Sequence, residues 1–247
     1  MTESQEEFIN GFNAAIKERC VYRYITRDSG LQRAACTELE EMLAIVSEEK
    51  AKAIADADEH FSNVLLGCES LTKAIITEIK MWLLLKEDKP DAAWDQLVIA
   101  QDEFENALKA DEGFSEAARQ LRRLNSVETL VFPPQTFFST GWIVKDEICS
   151  ICESDYEDCE HIKGRPYMGQ FCHVSLIPQE VDHVSIVDSP ASKHCRAFSM
   201  GVKGGKRSVM TWLIEPDEGE MGSKTETESG GMTIQGTIAT SPTLHDL

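Results

Sequence analysis

Val127-Glu-Thr-Leu-Val-Phe132-Pro133-Pro134-Gln-Thr-Phe137-Phe138-Ser139-Thr-Gly141-Trp142-Ile-Val144 is where this chain changes character. Two consecutive prolines cannot sit inside a helix, because each lacks an N–H and its ring crowds the preceding turn. The aromatic and β-branched residues that follow suit an extended, half-buried strand. Everything before this point carries helical periodicity, and everything after it is β-type or polar. The reading is an α+β chain: an acidic helical bundle over 1–126, a small β domain over 127–214, and a flexible acidic tail over 215–247.

Working back from residue 127, glycine and proline are sparse, as expected of long helices. Phe8, Phe12, Ala15 and Ile16 share one helical face in a segment of roughly 3–25. Ser29 and Gln32 have the spacing of a capping box, predicting a helix start near 30. That helix runs to about 66, with a possible break at Asp56–Glu59. Leu71, Ile75, Ile76, Ile79, Trp82 and Leu83 form the stripe of a helix over about 69–86. Pro90 suits a first helical position, where a missing N–H costs nothing. The helix it opens covers about 90–110, and a last one covers about 114–126.

Working forward, His173–Ile177 and Val181–Val187 are strand-like, and Val209–Ile214 is one more candidate. From Glu215 the chain is too polar to bury a core and is expected to be disordered, with weak β propensity near Met232–Thr240. Gly201-Val-Lys-Gly-Gly-Lys-Arg-Ser lacks the spacer of a phosphate-binding loop.

Charge narrows the function. The 247 residues hold 43 acidic and 24 basic side chains, a formal charge of −19. Residues 1–130 alone carry 26 acidic and 15 basic residues. Nucleic acid and anionic membrane surfaces are poor partners for such a chain, which points to a protein partner. The opening residues have neither a basic nor an apolar stretch of the kind that exports a chain, so the expected location is the cytoplasm, where thiols stay reduced. Five of the eight cysteines crowd into 149–195 and therefore call for an explanation other than disulfides.

Cys149-Ser-Ile-Cys152, six residues, then Cys159-Glu-His161 supplies that explanation. Two thiolates three residues apart grip a cation from one tight turn, and a second pair completes the tetrahedron that Zn²⁺ prefers. The intervening Glu153-Ser-Asp-Tyr-Glu-Asp158 has almost nothing apolar with which to fold. The expected ligands are Cys149, Cys152, Cys159 and His161, with Cys172 as the alternative fourth, in a zinc knuckle over 149–172. Four protein ligands leave no open position for water, so the expected role is structural rather than catalytic.

An ordered set of motifs resembles the C-terminal part of tailed-phage prohead proteases that carry a cysteine-rich insert. It comprises Phe137-Phe-Ser139-Thr-Gly141-Trp142, the cysteine pairs, Gly164-Arg-Pro-Tyr167-Met-Gly169-Gln-Phe-Cys172 and Val184-Ser-Ile-Val187-Asp-Ser-Pro190-Ala191. It covers about 137–196. The resemblance implies a small β-barrel-like fold, serine chemistry and a capsid scaffold as substrate, with Ser139 the matching nucleophile. The family's histidine precedes the Ser-x-Gly strand, where this chain is helical instead. The histidine there, His60, belongs to an acidic helix, and His183 and His194 qualify by residue type alone. The expected function is a non-catalytic protein-binding or assembly module of phage or prophage type, with serine protease activity as the alternative.

Overall fold

A computed structural model describes residues 1–216 and 233–238. Five helices come first: α1 (Glu3–Arg19), α2 (Ser29–Ala55), α3 (Glu59–Lys86), α4 (Pro90–Ala110) and α5 (Ala117–Val131). Eight strands follow: β1 (Phe137–Cys149), β2 (Pro166–Tyr167), β3 (Gln170–Phe171), β4 (Val174–Val187), β5 (Ala197–Val202), β6 (Gly205–Ser208), β7 (Ile214–Glu215) and β8 (Ile234–Gly236). The chain is α+β. It divides into two compact units. One is Met1–Glu128 together with Glu147–Ser175; the other is Thr129–Asp146 together with the described residues from Leu176 onward.

α3 is the spine of the first unit. Most of its 28 residues are buried, including Leu65, Ile75, Ile79 and Met81. It packs mainly on α4 and α2, and α4 contributes Trp94, Leu97 and Phe104 to the same core. Asp58 caps α3 by accepting the Phe61 N–H at 3.0 Å. The predicted break at 56–59 is there, but α3 then runs without interruption through the expected gap at 67–68. Gly67 is a packing residue rather than a stop. A Cβ there would lie 2.2 Å from the Phe114 ring, so glycine lets that ring approach the helix.

Three other boundaries differ from the sequence reading. α2 is capped by Asp28, which accepts the Leu31 N–H at 3.0 Å, and Ser29 is not the cap. Gln32 is fully buried and donates to the carbonyls of Tyr22 and Tyr24 at 2.8 and 3.1 Å, holding the α1–α2 connection. α1 ends at Arg19 in a 3-10 turn over Cys20–Tyr22 instead of continuing to 25. α5 extends to Val131, because the apolar run before Pro133 is still helical.

In the second unit β5 and β6 form a hairpin through Lys203 and Gly204, and the strand order is β7-β6-β5-β8. The Gly-rich stretch is thus a hairpin turn, with Gly204 at φ +98°. The strand expected over Val209–Ile214 is absent up to Leu213. Val209 and Met210 are instead buried in a turn, and only Ile214 enters β7. Ile234–Gly236 falls in the expected tail and is β8, paired antiparallel with β5. The rest of that expected tail, 217–232 and 239–247, lies outside the described residues. β1 and β4 pair as a separate two-stranded sheet, and β4 absorbs both of the strands predicted between His173 and Val187.

Candidate metal centre

Local backbone chemistry builds the cysteine cluster. At the end of β1 the chain turns sharply. Cys149 N–H donates to Ser154 O and Glu153 N–H to Cys149 O, both at 2.9 Å, and Glu153 takes a left-handed φ of +57°. This turn sets Cys149 and Cys152 side by side. A 3-10 turn at Tyr156–Asp158, capped by the Asp155 side chain, then delivers Cys159 and His161. The Tyr156 and Tyr167 hydroxyls accept the N–H groups of Lys163 and Ile162 at 3.1 and 3.0 Å. The short β2–β3 hairpin turns at Met168 and Gly169, both at positive φ, and returns the chain to Cys172. Ser150 closes the arrangement: its N–H donates to His173 O at 3.0 Å, and its hydroxyl accepts the His173 N–H at 2.9 Å.

The ligand atoms of Cys149, Cys152, Cys159 and His161 all lie within 4.8 Å of one another, close enough to hold one metal ion. Cys172 also approaches, with its sulfur 3.8 Å from that of Cys149. Two sulfurs on one tetrahedral zinc are separated by roughly this distance, given Zn–S bonds of about 2.3 Å. The four residues expected as ligands therefore lie close together, and Cys172 stands beside Cys149. His161 Nδ1 is buried and has no hydrogen-bond partner, which suits a nitrogen that donates its lone pair to a cation. The His161 ring is also pinned edge-on against Tyr167 at 4.8 Å.

The thiols do not titrate alike. Burial works against ionisation of Cys149, but N–H groups of Cys152 and Ile151 aimed at its sulfur outweigh this and bring it down to about 7. The Ile151 contact is 3.4 Å. Cys152 is also lowered, chiefly by the Ser154 N–H. Burial raises Cys159, and it raises Cys172 to about 11. Two thiols are thus prepared to be thiolates, the form that binds metal.

The knuckle belongs to the helical unit, not to the β unit in which the sequence reading placed it. Gly169 N–H donates to Asn63 Oδ1 of α3 at 2.8 Å. A Cβ on Gly169 would lie 3.2 Å from Ile54 and from Lys50 on α2. Lys50 is itself held at 2.5 Å by Glu69, a buried carboxylate of α3. Nothing in the local cysteine spacing announces this docking, and Asn63 is an ordinary polar residue in sequence.

Ser139 lies in β1. His183 of β4 crosses Gly141, where a Cβ would meet its ring at 2.5 Å, and its Nδ1 is 2.9 Å from Asp182. No hydrogen bond joins Ser139 to His183. His60 is exposed on α3, 4.0 Å from Asp111. No helix is long and apolar enough to cross a membrane among the described residues. Comparison with family models, curated proteins and solved structures finds no match to this chain.

Proposed function

We propose that this protein is a non-catalytic binding or assembly module whose Glu147–Ser175 segment is clamped by a structural zinc ion. The observation that carries the reading is the donor set: Cys149, Cys152, Cys159 and His161 lie close enough to hold one ion, with Cys172 beside Cys149. Thiolate and imidazole donors suit Zn²⁺, and four protein ligands leave no position for a reacting water. The binding role is supported by the β1–β4 ribbon, which leaves Ile143, Ile177, Val181, Val184 and Ile186 exposed. A two-stranded ribbon is marginal alone, and exposed apolar strand residues are what a protein partner covers. A protein partner is favoured because the formal net charge of −19 disfavours nucleic acid. The phage or prophage setting rests on the Phe137–Ala191 motifs.

The alternative, a serine protease of the prohead type, requires a base on Ser139. His183 lies over Gly141, two residues beyond Ser139, with Asp182 at 2.9 Å from its Nδ1. Elemental analysis of the purified full chain, with an assay for scaffold or self-cleavage, decides between the two. The module reading expects one zinc per chain and no cleavage. Cleavage that disappears in Ser139→Ala would establish the protease, and a metal-free, fully folded chain would remove the clamp.

A further inference from the structure

The helical unit contains a second chemistry, independent of the metal centre. A cavity of about 640 Å³ opens among α1, α3 and α5, walled by Ile16, Val64, Leu71, Ile75 and Phe114. This is the size and character of a small-molecule site. Arg23 lines it and is only 6 % exposed. Its Nη2 donates to Gln120 Oε1 at 2.8 Å and its Nη1 stands 3.5 Å from Glu78, but its buried Nε has no partner. A buried N–H left unsatisfied costs free energy unless something accepts from it.

The charges around Arg23 are also unbalanced. Glu78, fully buried, is the carboxylate that Arg23 shares with Arg123, whose Nη2 reaches both its oxygens at 2.6 Å. One carboxylate thus faces two guanidiniums, of which that of Arg23 is buried and that of Arg123 is partly exposed. A neighbouring cavity of about 660 Å³ shares Arg23 and adds Lys17, Arg27 and Arg119. Its single carboxylate, Glu116, is paired with Arg119 at 2.9 Å. Asp111, Glu112 and Glu116 line the first cavity; Glu116 is paired with Arg119, and the other two would repel an anion placed next to them. They favour a head group at Arg23, towards Lys17 and Arg27.

We propose that this site binds a small amphipathic anion: an apolar body in the first cavity, with one carboxylate or phosphate head accepting from Arg23 Nε. The geometry of Arg23 is prepared in advance. Gln32 grips the carbonyls on either side of it, and Phe104 lies 5.9 Å beneath its guanidinium. The guanidinium is thus held in place before any ligand arrives, and the head group reaches Nε as the atoms that cover it move aside.

Isothermal titration of the full chain with decanoate, decyl phosphate, decanol and acetate tests this. One decanoate or decyl phosphate should bind per chain, and the tighter of the two identifies the head. Decanol and acetate should bind about tenfold more weakly or worse, since a hydrogen bond to a charged group is lost in one and the apolar contact in the other. Arg23→Gln should reduce decanoate to the level of decanol and leave decanol unchanged. Should Arg23→Gln fail to fold, Lys17→Glu on the exposed face of α1 serves instead and should weaken decanoate severalfold. Equal binding of decanoate and decanol, no binding of either anion, or decanoate affinity untouched in a folded Arg23→Gln or Lys17→Glu chain would overturn the proposal.

Discussion

α3 and the Glu147–Ser175 segment are of nearly equal length, lie in the same compact unit and are held by opposite means. Most of α3 is buried, and its stability comes from apolar packing against α2 and α4. Between Glu147 and Ser175 only Cys149, Gly169 and Cys172 are buried, and two of those three are thiols. The first segment would fold around any well-shaped apolar partner. The second has almost no core, and on the proposed function its order would rest on donors converging on one point. Chain entropy explains why this matters: fixing each residue costs about 1–2 kcal/mol, which a segment without apolar burial recovers only through a strong local bond such as a metal centre.

The contrast breaks most severely at Cys149. Cys149→Ser should cost the segment most of a binding energy of about 10 kcal/mol, so that limited proteolysis cuts within 147–175 while the helical circular dichroism persists. A helical signal lost in step with the knuckle would instead mean the two regions fold as one.

Glu78→Ala strikes the other side. It strands the buried Arg23 guanidinium and frees the partly exposed Arg123, and should destabilise the helices by about 3 kcal/mol, read as a lower denaturation midpoint with the metal content unchanged. An unaltered midpoint would show that the charge cluster is dispensable.

Acidification should separate the regions in a graded way. Cys149 has a native value of about 7, below its ordinary 9.0. Its contribution is therefore fully present above pH 9 and lost as the pH falls through about 7. Metal retention, followed by dialysis, should weaken from pH 8 to pH 6 while helix content holds. Retention independent of pH across that span would contradict thiolate ligation.

The smallest expected effect is at their junction. Asn63→Ala removes the acceptor of the Gly169 N–H and should cost about 1 kcal/mol. Faster hydrogen exchange around Met168–Gln170, at full metal stoichiometry, would register it. Unchanged exchange there would mean the docking rests on the Lys50 and Ile54 contacts.

These regions also differed in how far they could be read from sequence. The proximity of Cys149, Cys152, Cys159 and His161 was legible, because it follows from local spacing. The α+β order and the Pro90 helix start were legible for the same reason. What escaped the sequence was set by distant partners. Gly67 looks like a break until Phe114 is seen packed on it. Gln32 looks like half a capping box until its amide meets two carbonyls across the α1–α2 connection. The knuckle's attachment to α3 depends on one asparagine, and β8 acquires its partner only through pairing with β5. Glu78 did leave a trace, standing three residues after Ile75 on the apolar stripe, where a solvated carboxylate has no place.

Hydrogen exchange of the full chain, with zinc bound and after chelation, tests the central claim most directly. Amides between Glu147 and Ser175 should lose their protection on metal removal, while α3 and α4 keep theirs. Protection in that segment that survives complete removal of metal would contradict the account.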